Sequence, residues 1–420
     1  MRKIHAASDV NVQTQEPWWV GVDWFFLLLI LALLIEGLIA VYSTSVAFAV
    51  TRTDKPETYF IKRQLFFAVV GLVGMLTTWR IGYEPLKRHP RLVVGLAAGV
   101  LGALLLLLIR NRLSGGPGRT LLGASLQPAE FAKVVLILYL SVWLNTRRRQ
   151  IRDWRWELAY VGAITGVFAL LVLLQPDLSA ALTVFTLGFM MLLLAGAHPK
   201  QLMFTLAVGL VVIGVGLPAL RWLYPVGIQR ITDFWISLID PLRVGGHMRE
   251  AMWAFLRGGW FGVGIGMGKS KFYYLPLPHT DSVFAVIGEE WGLVGASVVL
   301  LTYALFLWRG LQIASRSPDP IGQLLASGLV LWITGEAVLN MAGIVGLLPQ
   351  AGNVMPFFSY GGSNLTAVLT SLGLVLRVAQ EARLREARYR GEGRAILDLR
   401  GRNRRRRVSR ARGAAATGRH

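Results

Sequence analysis

The sequence contains no cysteine, so disulfide bonds and thiolate metal sites are excluded. It also lacks a Walker-type phosphate loop and an H-E-x-x-H motif, which excludes two common kinds of nucleotide and zinc site. The glycines at 262, 264, 266 and 268 do not have the spacing of a dinucleotide-binding fingerprint, and no parallel-sheet pattern surrounds them. We therefore expect no organic cofactor.

Acidic residues are also scarce, with 23 Asp and Glu against 44 Lys and Arg and a net charge of +21. In a soluble protein this excess would suggest a nucleic-acid partner. Much of the positive charge, however, lies in short loops and in a tail that contains Arg404, Arg405, Arg406 and Arg407. Anionic lipid headgroups are the simpler partner for such a tail, and we expect no nucleic acid.

Apolar residues, by contrast, make up 54% of the chain. Many runs approach the length needed to cross a bilayer, so the pattern predicts an all-α, polytopic membrane protein with about ten transmembrane helices. The predicted segments are 24–48, 64–80, 92–109, 128–144, 158–175, 179–195, 202–220, 282–307, 323–347 and 357–377. We divide the chain into a cytoplasmic N-terminal segment (1–23), a membrane domain (24–377) and a basic, largely disordered tail (378–420).

Positive charges alternate from side to side along these segments. Loops 79–91 and 145–157 are rich in Lys and Arg and fall on the same side as the tail, which predicts that both termini are cytoplasmic. The long loop 221–281, between helices 7 and 8, is then extracytoplasmic. Loops 49–63 and 221–281 also carry cations, but long loops follow this rule poorly.

Ionisable residues within membrane segments are functional hypotheses by default. Glu130 and Lys133 lie three residues apart, on one face of the fourth segment. They either form an internal pair that ties helices together or line a cavity that binds a polar headgroup, and the two interpretations are compatible. For Glu36 and Glu336 we favour a helix-packing role.

The stretch 258–290 brings a polar, glycine-rich loop directly into a membrane helix. Six glycines fall within its first eleven residues, and His279-Thr280-Asp281 stands at the junction. Further polar residues are expected at the same membrane face: Arg119, Gln175, Asp177, Arg230, Lys271, Ser359 and Ser363. Cations and hydroxyls around a carboxylate suit an anionic, hydroxyl-rich substrate such as a phosphorylated sugar.

Several short motifs, in this order, resemble the SEDS family (shape, elongation, division and sporulation), the peptidoglycan glycosyltransferases that include FtsW, RodA and SpoVE. The resemblance covers about 23–377. Its main carriers are Gln127–Lys133, Gln175-Pro176-Asp177, Tyr274-Leu275-Pro276 with His279-Thr280-Asp281, Phe284–Glu290 and Pro356–Ser363. Departures such as Ser282, where Phe is common, and Asn364, where Ser is common, affect the details of substrate contact but leave Asp281 in place. The motif sequences are more similar to those of FtsW or SpoVE than to those of RodA.

This resemblance implies that the chain polymerises lipid II in the bacterial plasma membrane, in cell division. The 4-hydroxyl of one N-acetylglucosamine would attack the anomeric carbon of a lipid-diphosphate-linked glycan, and undecaprenyl diphosphate would leave. Asp281 is the implied catalytic base, helix capping being its alternative role and His279 the rival base. Diphosphate stabilisation falls to Arg119, Lys133, Arg230 and Lys271. Ser359 and Ser363 either shape a glycine-rich helix start or contact the sugar.

A divalent cation, Mg or Mn, could share the stabilisation of the diphosphate. The implied partners are a class B penicillin-binding transpeptidase and other divisome or elongasome membrane proteins. Two alternatives stay open: a lipid II flippase or other transporter, which would place its charges near the midplane, and a RodA-type elongation polymerase. A non-enzymatic scaffold is disfavoured because the polar residues concentrate on one face.

Overall fold

The computed structural model describes residues 20–53, 55–114, 120, 126–147, 154–175, 177–209, 211, 225–239, 246–273, 275, 278–350 and 352–387. In these ranges the chain is helical, apart from turns and short connections. It divides into two compact units, Asp23–Ala382 and the combined termini Met1–Val22 and Arg383–His420. In the terminal unit, Arg383 Nη1 donates to the Val22 carbonyl oxygen at 2.6 Å. The rest of this section concerns the larger unit.

The helices follow one another in a simple order. They are α1 (Trp24–Arg52), α2 (Tyr59–Ile81), α3 (Glu84–Arg88), α4 (Pro90–Ser114), α5 (Pro128–Arg147), α6 (Trp154–Leu173), α7 (Leu178–Leu194), α8 (199–209), α9 (Pro225–Ile239), α10 (Gly246–Gly258), α11 (Ser270–Tyr273), α12 (Val283–Glu290), α13 (Gly292–Ser315), α14 (Pro320–Ile344) and α15 (Gly362–Ala387).

Seven of these helices are long and apolar enough to cross a membrane: α1, α2, α4, α5, α13, α14 and α15. The helices α6 and α7 are apolar but shorter. A polytopic, all-α membrane protein is therefore confirmed for the part of the chain that the structure describes. The count of ten stays a prediction, because the second half of the seventh predicted segment lies outside the described residues.

Helix starts are specified locally. The Asp23 carboxylate accepts from the Phe26 N–H at 3.1 Å and caps α1. Asp177 caps α7 in the same way, through the Ala180 N–H at 3.1 Å. Proline, which needs no hydrogen-bond acceptor in a first helical turn, begins α4, α5, α9 and α14.

The continuous eighth segment predicted over 282–307 is wrong, because the helix breaks between α12 and α13. Gly292 adopts a φ of +70°, which interrupts the helix. Loop residues 259–264 supply the lost backbone bonds. The amides of Val263 and Gly264 donate to the carbonyls of residues 289 and 290, and those of residues 293 and 294 donate to the carbonyls of residues 259 and 260, at 2.9 to 3.1 Å.

One further boundary differs from the sequence-based expectations. The last membrane helix begins at Gly362 and not at 357, since residues 356–360 form turns. The long connection 221–281 contains three helices, α9, α10 and α11. The helices α6 and α7, which a short connection joins, pack against each other.

Candidate functional site

Asp281 stands in a turn just before α12. The N-cap position of this helix is Ser282, so Asp281 lies one residue outside the cap. Its side chain is 19% exposed, whereas all eight residues of α12 are buried. The carboxylate therefore lies in a partly open position, directly before a firmly packed helix.

Arg230 of α9 faces this carboxylate across a short gap. Its Nη2 lies 4.0 Å from Asp281 Oδ2, and its side chain is 33% exposed. Gly352, with a φ of +72°, lies beside both groups: a Cβ there would stand 2.3 Å from Arg230 Nη1 and 3.6 Å from Asp281 Oδ2. Glycine at 352 thus leaves the room that the guanidinium occupies.

The backbone around Asp281 is joined to two other segments. Asn340 Nδ2 donates to the Asp281 carbonyl oxygen at 3.1 Å and to the Asn353 carbonyl oxygen at 2.6 Å. Ser359 Oγ donates to the Thr280 carbonyl oxygen at 2.6 Å, and the Tyr360 N–H donates to the His279 carbonyl oxygen at 2.8 Å. The turn 278–282 is consequently fixed to α14 and to the segment before α15.

The His279 side chain is buried in an aromatic cluster. Its ring centroid lies 4.1 Å from that of Phe48, 5.6 Å from that of Phe60 and 5.8 Å from that of Tyr360. Burial raises the pKa of Tyr360, and the Arg63 guanidinium opposes that rise. The 5% exposure of His279 favours a packing role over that of the base.

Two adjacent carboxylates at the end of α12 hold the glycine-rich loop. Glu290 accepts from Lys271 Nζ and from Ser43 Oγ, each at 2.6 Å, and from the Gly266 N–H at 3.0 Å. Glu289 lies 3.1 Å from Arg257 Nε and accepts from the Ser270 N–H at 3.0 Å. Backbone N–H groups that converge in a loop form an anion-binding site. In this loop the bound anions are the carboxylates of Glu289 and Glu290.

A second buried charge cluster joins three membrane helices. Lys133 Nζ lies 2.8 Å from Glu130 Oε2 and 2.7 Å from Glu336 Oε1. Asn364 Nδ2 donates to Glu130 Oε2 at 2.6 Å. The Lys133 and Glu336 side chains are 1% and 3% exposed, so this cluster ties α5, α14 and α15 together.

The remaining predicted polar residues hold the ends of helices. Ser363 Oγ accepts from the Gln127 N–H at 2.8 Å, and Gln127 Nε2 donates to Asp177 Oδ2 at 3.3 Å. Gln175 Nε2 donates to the Leu104 carbonyl oxygen at 2.8 Å. These bonds bring the start of α5, the start of α7 and the start of α15 to one face of the bundle.

We call this face, which also carries Asp281, the Asp281 face. Among the described residues, Asp281, Arg230, His279 and Ser359 come together there. The groups of Lys271 and Lys133 form two separate buried clusters. Arg119 lies outside the described residues.

A sequence profile of the FtsW/RodA/SpoVE family, described as a cell cycle protein, matches residues 23–384. The chain belongs to this family. It is 33% identical over 364 residues to stage V sporulation protein E of Bacillus subtilis, covering 86% of this chain and 98% of that protein. It is 36% identical over 378 residues to a probable peptidoglycan glycosyltransferase FtsW of Trichlorobacter lovleyi, with coverages of 86% and 94%.

Solved structures give the same placement in the SEDS family. A chain of a peptidoglycan synthase complex superposes with a TM-score of 0.66 at 28% identity, over 87% of this chain and 99% of that one. The RodA protein of Thermus thermophilus gives a TM-score of 0.60 at 26% identity, with the same coverages. The resemblance found from the motifs is confirmed for the whole membrane unit.

Two site residues of this SEDS protein were missed from the sequence. Asn340 and Gly352 carry no charge and stand in no recognisable motif, and only the fold brings them to Asp281. A divalent cation stays a prediction. In the part of the chain that the structure describes, no three His, Asp or Glu residues form a metal-binding group.

Proposed function

We propose that this SEDS-family chain polymerises glycan strands from lipid II, and that Asp281 is the catalytic base. The observation that carries the proposal is the partly exposed Asp281 carboxylate, which stands just before the buried helix α12 and faces the Arg230 guanidinium at 4.0 Å. The relatives of this chain that are named probable peptidoglycan glycosyltransferase support glycosyl transfer as the reaction class.

The reaction requires one proton acceptor and one site of positive charge. The 4-hydroxyl oxygen of the acceptor sugar bonds to the anomeric carbon of the donor, and the bond from that carbon to the diphosphate oxygen breaks. Asp281 takes the hydroxyl proton and releases it to solvent. Undecaprenyl diphosphate leaves with the bonding electrons, and a nearby cation stabilises its developing charge.

We assign this stabilisation first to Arg230, because its guanidinium is partly exposed and beside Asp281. The ammonium groups of Lys133 and Lys271 each contact a carboxylate and are almost fully buried. These contacts favour a structural role for both lysines in this conformation. The earlier assignment of Lys133, Lys271 and Arg119 to the diphosphate stays a prediction.

Transport of lipid II is a weaker candidate. The buried cluster of Lys133 and Glu336 is the feature that favours it, because transporters use charges inside the membrane. Lys133 lies only five residues after Pro128, about 8 Å from the helix start at 1.5 Å per residue. Lys133 therefore lies in the first third of the 20-residue helix α5, on the side of the Asp281 face, and not at the middle of that helix.

Purified protein incubated with lipid II in detergent tests the proposal, with glycan strands separated on a gel. Asp281→Asn should reduce polymer formation by at least about a hundredfold, since general-base catalysis typically contributes that much. Asp233→Asn, which removes a different carboxylate, on the helix α9 that carries Arg230, is the matched control and should retain polymerisation. An active Asp281→Asn enzyme, or translocation of lipid II in vesicles without any polymer, would contradict the proposal.

We propose further that the site faces the outside of the bacterial plasma membrane, with both termini in the cytoplasm, and that the chain acts in cell division. The proposed partner is a class B penicillin-binding transpeptidase. Its support is the structural similarity to a chain of a synthase complex that coordinates polymerisation and crosslinking. Residues 388–420 of the basic tail lie outside the described residues, and the binding of the tail to anionic lipid stays a prediction.

A further inference from the structure

The side chain of Asn340 lies between two backbone segments of the site. It stands on α14, four residues before the helix ends at Ile344, and is 6% exposed. Its amide nitrogen has two hydrogens, and it donates to two carbonyl oxygens, those of Asp281 and Asn353. One planar group therefore fixes two chain segments that are 72 residues apart in the sequence, from 281 to 353.

The first of these bonds acts on the residue that carries the base. Asp281 precedes α12, so the regular hydrogen bonding of the helix does not begin until the next residue, the Ser282 N-cap. A bond at 3.1 Å from α14 to the Asp281 carbonyl restrains the peptide from which the catalytic side chain projects. The bond engages the backbone of Asp281 and not its carboxylate.

The second bond acts on the loop that accommodates Arg230. Asn353 directly follows Gly352, whose α-carbon lies beside Arg230 Nη1 and Asp281 Oδ2. The 2.6 Å bond from Asn340 to the Asn353 carbonyl oxygen holds this loop against α14. Movement of the loop toward the site would displace the Arg230 guanidinium, because even one added carbon at 352 would stand 2.3 Å from it.

The chemistry of position 340 requires a donor. Both partners of Nδ2 are carbonyl oxygens, which only accept, and Asn340 Oδ1 is buried without a hydrogen-bond partner among the described residues. An amide is hence present for its two N–H groups. A carboxylate of the same shape would turn two attractive contacts into two repulsive ones.

We propose that Asn340 is a positioning residue: its amide sets the Asp281 carboxylate and the loop beside Arg230 in the geometry that the reaction requires. This inference rests on the proposed function of Asp281. Misplacement of a reacting group by about 1 Å can cost roughly a hundredfold in rate. The role predicts a loss of turnover without a comparable loss of substrate binding.

The test compares steady-state polymerisation of lipid II by the full-length wild-type protein and by Asn340→Leu, Asn340→Gln and Ser327→Ala. Asn340→Leu removes both donors at similar volume and should lower kcat about a hundredfold, with KM changed less than about threefold. Asn340→Gln keeps the amide and should retain more activity than the leucine variant. Ser327→Ala, a buried change on the same helix, should leave kcat unchanged, because among the described residues the Ser327 hydroxyl bonds only within α14.

Gly352→Ala gives an independent readout, since it displaces Arg230 without touching α14, and it should also lower kcat more than it raises KM. If Asn340→Leu does not fold, the comparison of Asn340→Gln with Gly352→Ala decides. A kcat for Asn340→Leu within twofold of wild type, or a loss confined to KM, would overturn the inference. Asp281→Asn is measured in parallel: if that variant is active, the proposed function fails, whereas an inactive Asp281→Asn beside an active Asn340→Leu removes only the role of Asn340.

Discussion

At the scale of single residues, Lys133 has to balance more negative charge than it carries. Its ammonium contacts both Glu130 and Glu336, and Asn364 supplies one further donor to Glu130. Burying a charge costs roughly several kcal/mol unless the charge is paired and hydrogen bonded. The charges of this cluster are paired and hydrogen bonded in that way. Its stability therefore depends more on the lysine than on either carboxylate.

We expect Lys133→Met to destabilise the protein by about 3–5 kcal/mol, because it leaves two buried carboxylates without a cation. Glu336→Gln should cost much less, since the amide oxygen still accepts from Lys133 and one negative charge disappears. Thermal unfolding of both variants in detergent measures the difference. Equal losses of stability for the two substitutions would contradict this description of the cluster.

Most of the candidate site residues that the sequence revealed carry a charge. Asp281 was found because a carboxylate stood at the boundary between a polar loop and an apolar run. The contacts of Lys271 could not be found in this way, because Ser43 lies 228 residues away in the sequence. Asn340, an uncharged side chain inside an apolar segment, gave no signal that separates a site residue from an ordinary polar residue in a helix.

At the scale of elements, the break between α12 and α13 has a specific cause. An apolar run without proline predicts one helix over 282–307, but residues 259–264 take over backbone bonds that a continuous helix would make with itself. Hydropathy cannot reveal this exchange, since both segments must first be brought together in space. The positive φ of Gly292 is the local condition for it.

Gly292→Ala should destabilise the protein by about 1–3 kcal/mol, the usual cost of holding a non-glycine residue in a strained backbone conformation. The new Cβ would also stand 2.3 Å from the Gly262 nitrogen. Gly335→Ala, inside α14, is the control, because nothing lies within 4 Å of its added carbon. Melting temperatures of the two variants provide the measurement, and a Gly292→Ala protein as stable as Gly335→Ala would show that the break tolerates a side chain.

At the scale of the whole molecule, most of the architecture was predictable and the orientation still needs an experiment. Periodic apolar runs located each of the long helices, because a bilayer requires about 20 apolar residues per crossing. The family followed from short motifs at the helix ends. The direct contacts between distant helix ends could not be predicted from the sequence. The contact of Gln127 with Ser363, for example, joins residues that are 236 positions apart.

The absence of cysteine makes the orientation easy to test with single introduced thiols. Lys269 is exposed on the loop held by Glu289, and the side chain of Arg88, in the short helix α3, is 75% exposed. If the Asp281 face is extracytoplasmic, Lys269→Cys should react with a membrane-impermeant maleimide in intact spheroplasts. Arg88→Cys should react only after lysis, and the reverse pattern would refute the proposed orientation.

The glycine-rich loop bound by Glu289 and Glu290 has a consequence for biosynthesis. During translation, Lys269 is synthesised 20 residues before Glu289, whose carboxylate accepts a hydrogen bond from the Lys269 N–H. The loop is thus synthesised before the two acids that shape it, and Ser43 belongs to a helix synthesised much earlier. Assembly of this region is a late event, so a nascent chain stalled ahead of residue 289 would present an unshaped loop to proteases.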